Sequence, residues 1–227
     1  MTSWAALFAR QPRAGKVKTR LLSVLEPQAA ADLYAAFLRD TAETLAACSA
    51  DHKIVAYTGE GAEKGLPAML SGLGVFDYRA QVDGSLGDRM QALFAASFDE
   101  GATETVLVGT DSPSMPVHLI DEALQRLQTH DIVIGPSTDG GYYLLGLSAP
   151  VPELFHGIDW GSGNVLTQTL VAAAAHSVSL LPVWYDVDLP EEAAFLRAHL
   201  HALRQAGEEV GQHSLAALEG LTLPPPS

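Results

Sequence analysis

The order of apolar and polar positions divides the chain into short continuous apolar runs and longer stretches of helical period. Trp4–Ala9 (WAALFA) is apolar throughout, predicts a buried strand, and runs straight into a basic loop. Pro27 opens a segment reaching Cys48 in which Leu33, Tyr34, Phe37, Leu38, Thr41 and Leu45 recur at helical spacing, which predicts one amphipathic helix. Lys53–Thr58 predicts a second strand, the Gly59–Gly74 stretch a short helix around Ala68–Leu70, and Val75–Ala80 a weaker third strand. Gly84–Asp88 is turn chemistry ahead of a helix from about Arg89 to Asp99, with Met90, Leu93, Phe94 and Phe98 on one face. Thr105–Gly109 (TVLVG), continuous and rich in β-branched residues, is the strongest strand signal and predicts a central place in the sheet.

Pro116 then starts a helix to Gln128, with Leu119, Ile120, Ala123, Leu124 and Leu127 facing the core. Strands follow at Asp131–Gly135 and Tyr142–Leu147, a helix at Gly163–Ala175, a strand near Val178–Val183 and a helix from Glu191 to about Gln205. Strands alternating with helices predict a layered α/β/α domain around a mostly parallel sheet. In such sheets ligands bind beyond the carboxyl ends of the strands, so chemistry is sought where strands pass into loops.

A length of 227 residues suits one large domain, read here as 1–206, followed by a C-terminal extension over 207–227 whose last residues, Leu221–Ser227, form a Pro-rich frayed tail. With 48% hydrophobic and 18% charged residues the chain has enough apolar material for a core. Cys48, the only cysteine, excludes an intramolecular disulfide and a multi-cysteine zinc site. No signal peptide and no membrane-spanning stretch are read, so the expected address is cytoplasmic, with no membrane partner. A net charge of −14 argues against nucleic acid as a partner. Five of the 13 basic residues (Arg10, Arg13, Lys16, Lys18, Arg20) nevertheless fall within eleven positions, a local anion site on an acidic chain.

That loop lacks the spacing of a Walker phosphate loop, because Arg10 stands where a glycine is required and Val17 follows Lys16. It leaves Gly15 for close approach and several cations for a diphosphate or triphosphate. Asp111, directly after the strongest strand, and Asp186 with Asp188 after the last strand offer carboxylates suited to Mg²⁺ (or Mn²⁺) bridged to phosphates. Each also has a plainer role, Asp111 in capping the turn before Pro116 and Asp188 in capping the helix at Glu191. Asp139-Gly140-Gly141 and Gly161-Ser-Gly-Asn164 are turn segments whose backbone can approach an acceptor, the second with N–H groups for an anionic one.

Phe8-Ala9-Arg10, Pro12, Gly15-Lys16-Val17-Lys18-Thr19-Arg20-Leu21, Leu86-Gly87-Asp88-Arg89-Met90, Gly109-Thr110-Asp111-Ser112-Pro113, Asp139-Gly-Gly-Tyr142-Tyr143, Trp160-Gly161 and Asp186-Val-Asp188 resemble, in that order, the bacterial rSAM/selenodomain-associated transferase family. The loop from Pro12 to Leu21 is also similar to that of 2-phospho-L-lactate guanylyltransferase. The resemblance covers Trp4 to about Phe195 and implies the GT-A, or nucleotide-diphospho-sugar transferase, fold. It implies Lys18 and Arg20 on the phosphates of a nucleotide donor, helped by Arg10, Gly15 and Lys16, and the Gly87–Arg89 segment near the base. It further implies Mg²⁺ on Asp111 with Asp188 or Asp186, and a small-molecule acceptor near Gly140, Gly141, Trp160, Gly161 and Asn164.

Three readings follow. The five clustered cations and the single carboxylate at Asp111 place first a nucleotidyltransferase, with a phosphorylated or hydroxylated acceptor and pyrophosphate as product. The second is a glycosyltransferase using a nucleotide sugar, with Asp139 as base. The third is a non-catalytic nucleotide-binding accessory protein.

Overall fold

The computed structural model describes residues 2–225. Seven strands form one sheet: β1 (Ser3–Arg10), β2 (His52–Thr58), β3 (Asp77–Ala80), β4 (Glu104–Val108), β5 (Ile132–Pro136), β6 (Tyr142–Leu147) and β7 (Val178–Leu180). Their spatial order is β3-β2-β1-β4-β6-β5-β7; only β6 runs antiparallel to its neighbours, so the sheet is mixed but mostly parallel. The helices are α1 (Pro27–Ala47), α2 (Ala62–Met69), α3 (Leu86–Asp99), α4 (His118–Leu127), α5 (Val165–Ala172), α6 (Pro190–Gln205) and α7 (Gln212–Glu219). β4, wholly buried, takes the central position that its apolar run predicts.

The two-residue period of β1 builds both cores. Ala5, Leu7 and Ala9 face α1, α2 and α4, packing with Leu38, Leu45, Leu66, Ile120 and Leu124, while Trp4 and Ala6 face Met90, Phe94 and Phe155 on the other side. A third cluster lies off the sheet. It joins Leu21 and Leu25, in and after the 3-10 turn of the basic loop, to Leu33 and Phe37 of α1, Val187, Leu196 and Leu200 of α6, and Leu215 and Leu218 of α7.

Element boundaries move for local reasons. α3 starts three residues before Arg89 because Ser85 and Asp88 cap it reciprocally, Asp88 N donating to Ser85 Oγ and Ser85 N to Asp88 Oδ2. β7 stops short of Val183, with Pro182 supplying no N–H to the ladder. The segment after residue 206, where the sequence reading names no element, carries α7, which is packed against α1 and α6. Of the tail, Pro226 and Ser227 lie outside the described residues. No helix among the described residues is long and apolar enough to cross a membrane.

Candidate functional site

The exits of β1, β4 and β7 converge at one edge of the sheet. Val187 N donates to the Asp111 carbonyl at 2.9 Å, which ties the segment after β7 to the turn after β4. Alternation then buries the Val187 side chain in the third apolar cluster and leaves Asp186 and Asp188 beside Asp111. The plainer roles fall away here. α6 is capped by Glu192, whose Oε2 accepts Asp188 N at 2.7 Å and Leu189 N at 2.8 Å, so the Asp188 carboxylate is free of that duty.

Lys18 occupies the centre of this convergence. Its side chain is 3% exposed, and its Nζ donates to Asp111 Oδ1 at 2.5 Å, to the Val187 carbonyl at 2.7 Å and to Asp188 Oδ1 at 3.0 Å. Burial works to strip its proton, but the two carboxylates outweigh burial and hold the ammonium above its ordinary value. Lys18 is also the only non-glycine among the described residues with a left-handed backbone, at φ 45°, and its ammonium lies 5.4 Å from the Phe37 ring centre. Arg20, 64% exposed, reaches Asp188 Oδ2 at 3.3 Å. Behind the loop, the buried Tyr34 hydroxyl accepts Arg10 N at 3.0 Å and Thr110 Oγ1 at 3.2 Å, fastening the exits of β1 and β4 to α1.

Beside these groups lies a cavity of about 410 Å³ whose lining includes Arg20, Asp139, Gly141, Trp160, Gly161, Asp186 and Asp188. An adjoining apolar pocket of about 240 Å³ runs from Phe8 and Met90 to Gly109 and Asp111, and Leu86 and Tyr142 line both. Asp186 accepts Ser112 Oγ at 2.8 Å, yet burial, then Asp139 and Asp111, push its carboxyl up to about 6.

Of the expected site residues, the structure therefore brings together Lys18, Arg20, Asp111, Asp139, Gly141, Trp160, Gly161, Asp186 and Asp188. Gly140, at φ 90°, packs so closely on the Gly163 backbone that no side chain fits, and it lies outside the cavity lining. Gly87 has a packing role, its α-carbon so near the Trp160 indole and the Phe155 carbonyl that no side chain fits. The rest of the basic loop disperses. Arg13 pairs with Glu60 at 2.5 Å, Arg10 donates to the Lys16 carbonyl at 3.4 Å, and Gly15 and Lys16 are exposed along the loop. Arg89 folds back on the Gly84 carbonyl through two hydrogen bonds of 3.0 and 2.9 Å. Asn164 is exposed outside the cavity lining, and the N–H groups read there for an anion are partly spent: Asn164 N donates to Ser162 Oγ and Leu166 N to the Gly140 carbonyl.

Sequence reasoning missed Tyr34, Phe37, Ser112 and the Val187 carbonyl. Tyr34 and Phe37 carry the same apolar periodicity as their neighbours, so nothing marks them for a site. Ser112 adjoins Asp111 in a quoted motif and was legible there. The donor set suits a hard divalent cation, because two carboxylates and a carbonyl already converge on one positive charge. A second group of metal-ligand types, Asp40, Glu43 and His213, lies between α1 and α7, where Asp40 is occupied in accepting His213 N, Ser214 N and Ser214 Oγ.

Residues 41–162 match a family described as an uncharacterized protein conserved in bacteria, DUF2064. None of the curated proteins matches. Among solved structures, a protein of Desulfovibrio desulfuricans G20, whose name proposes without establishing a nucleotide-diphospho-sugar transferase, is 33% identical over 96% of this chain and 95% of its own, with a TM-score of 0.87. A CMP:2-keto-3-deoxy-manno-octonic acid synthetase complexed with CTP is 11% identical over 91% of this chain and 100% of its own, at 0.56. A Mycobacterium tuberculosis H37Rv protein in complex with manganese is 18% identical over 83% of this chain and 92% of its own, at 0.52. The fold is thus the one shared by nucleotide-diphospho-sugar transferases and nucleotidyltransferases.

Proposed function

We propose that this chain, which belongs to the conserved bacterial family DUF2064, is a metal-dependent transferase that takes its donor as a nucleotide sugar. The observation that carries the reading is the charge around the cavity. Four carboxylates, Asp111, Asp139, Asp186 and Asp188, stand with Lys18 and Arg20 around the two adjoining pockets, while Arg13 is paired with Glu60 and Arg10 with the Lys16 carbonyl. A triphosphate brings more negative charge into that acidic setting than a nucleotide sugar does. Of the five clustered cations that favour pyrophosphate release in the sequence, two are thus committed to partners outside the two pockets. The name of the Desulfovibrio relative supports the same choice.

Asp111 and Asp188, with the Val187 carbonyl beside them, are the residues that would hold Mg²⁺ or Mn²⁺. Such an ion stabilises the charge of a departing nucleoside diphosphate. Arg20 contacts the phosphates from the solvent side, and the apolar pocket under Leu86 and Met90 takes the less polar part of the nucleotide. The sugar lies in the larger cavity, against Trp160 and the carboxylates. Asp139 Oδ1 is used by Gly141 N at 2.8 Å, and Oδ2 accepts the proton of the attacking hydroxyl. The acceptor oxygen bonds the anomeric carbon, the carbon–oxygen bond to phosphate breaks, and its electron pair leaves with the diphosphate.

The test is an incubation with nucleotide sugars and with nucleoside triphosphates, a pool of small hydroxylated and phosphorylated acceptors, and Mg²⁺ or Mn²⁺, assaying nucleoside diphosphate and pyrophosphate separately. Diphosphate release from a nucleotide sugar is expected. Pyrophosphate from a triphosphate without diphosphate from any sugar donor would make the chain a nucleotidyltransferase, and tight nucleotide binding with neither product would make it a binding protein.

A further inference from the structure

Lys18 looks from the sequence like a phosphate ligand, and the structure gives it a different partner set. An ammonium has three donors, and all three of its hydrogen bonds end on Asp111, Asp188 and the Val187 carbonyl. Arg20 adds a second cation on the other oxygen of Asp188. Asp111 and Asp188 against Lys18 and Arg20 make a quartet of zero net charge, closed upon itself.

We propose that Lys18 is the resident counter-ion of the metal-ligating carboxylates, so that divalent metal alone binds weakly and enters together with the phosphates of the donor. The inference rests on the reading that Asp111 and Asp188 hold the metal, and it deepens that reading by assigning how the site is loaded. Oxygen ligands of Mg²⁺ stand at about 2.0–2.1 Å, so a metal at the convergence point would occupy the place of the ammonium. A bare cation must compete there with a charge that is already hydrogen-bonded. A nucleoside diphosphate changes the balance, because its phosphates offer Lys18 and Arg20 new acceptors while their own charge attracts the metal. Asp111 and Asp188, 46% and 40% exposed, are open on the side from which metal and phosphate arrive, whereas Lys18 approaches from the interior.

The experiment is a Mn²⁺ titration followed by electron paramagnetic resonance, with and without UDP, GDP, CDP or ADP, on the full chain and on Lys18→Met, Arg20→Gln and Asp111→Asn. In the unaltered protein the best of these nucleotides should tighten Mn²⁺ binding at least about tenfold, within the usual range of coupling between two ligands. Lys18→Met should bind bare Mn²⁺ about tenfold more tightly and lose most of the nucleotide effect; exposed Arg20→Gln should shift the same way by less, which keeps the test informative if Lys18→Met folds poorly. Equal or weaker bare Mn²⁺ binding in a folded Lys18→Met, or tight bare binding in the unaltered protein, overturns the inference and leaves Lys18 as a strut. Mn²⁺ binding that survives Asp111→Asn undiminished, or no binding under any condition, overturns the metal reading itself.

Discussion

Replacing Asp186 by Asn should stabilise the protein at neutral pH. The carboxyl titrates at about 6 in the folded chain against an ordinary 3.8, chiefly because burial disfavours its charged form, with Asp139 and then Asp111 adding repulsion. A folded-state value above the unfolded one means that the folded protein holds this proton more tightly. The resulting stabilisation is complete below about pH 4 and is lost as pH rises through 6. Relative to an unperturbed carboxyl, the ionised form therefore costs up to about 3 kcal/mol at pH 7, and roughly 1–3 after allowing for the partial opening of Asp186 to the cavity. Asn keeps the shape and, through Oδ1, the hydrogen bond from Ser112. The assay is urea unfolding in the presence of a chelator at pH 4, 5, 6 and 7. The variant should gain about 1–3 kcal/mol at pH 7 and nothing at pH 4, while transferase activity falls. A loss of stability at pH 7, or a gain that ignores pH, would falsify the electrostatic account and leave Asp186 as an ordinary hydrogen-bonded surface acid.

Arg20→Ala should weaken nucleotide binding about tenfold in an equilibrium titration and leave the melting temperature of the ligand-free protein nearly unchanged, because an exposed ion pair contributes about 0–1 kcal/mol; the reverse pattern places Arg20 in the fold instead of the site. Gly87→Ala forces a methyl into the Trp160 indole and the Phe155 carbonyl and should cost about 1–3 kcal/mol, shift the tryptophan emission and impair donor use, whereas an unchanged spectrum denies that Gly87 seats Trp160. Asp40→Ala removes the acceptor of three hydrogen bonds at the start of α7, and urea unfolding should show a loss of about 2–4 kcal/mol; a loss under about 0.5 would mean that α7 docks without it.

The fold was readable where one-dimensional patterns are strong. β1, β2, β4, β5 and β6 announce themselves by apolar runs and the long helices by their period, because the two cores demand those faces, whereas the short edge strands β3 and β7 give a weaker signal. α7 was missed because Leu215 and Leu218 are its only buried leucines, too few for a period to emerge over eight residues. The carboxylates were legible as strand exits, since the carboxyl ends of the strands are where α/β sheets gather their ligand-binding groups. The partners of Lys18 were not, for they stand 93 and 170 positions away and only the crossing of β1, β4 and the final loop brings them to it. The dispersal of the basic loop was equally hidden, because closeness in sequence says nothing about the direction of side chains in a loop.

The apolar cluster under the basic loop has a consequence for how the molecule is made. Leu21 and Leu25 are synthesised long before Leu215 and Leu218, which complete their packing. A nascent chain halted before α7 would expose Leu33, Phe37 and Leu200, and the turn carrying Lys18 and Arg20 would lack part of its footing. Completion of that footing therefore waits for α7, so chains ended before it are expected to bind nucleotide poorly even though all seven strands precede it.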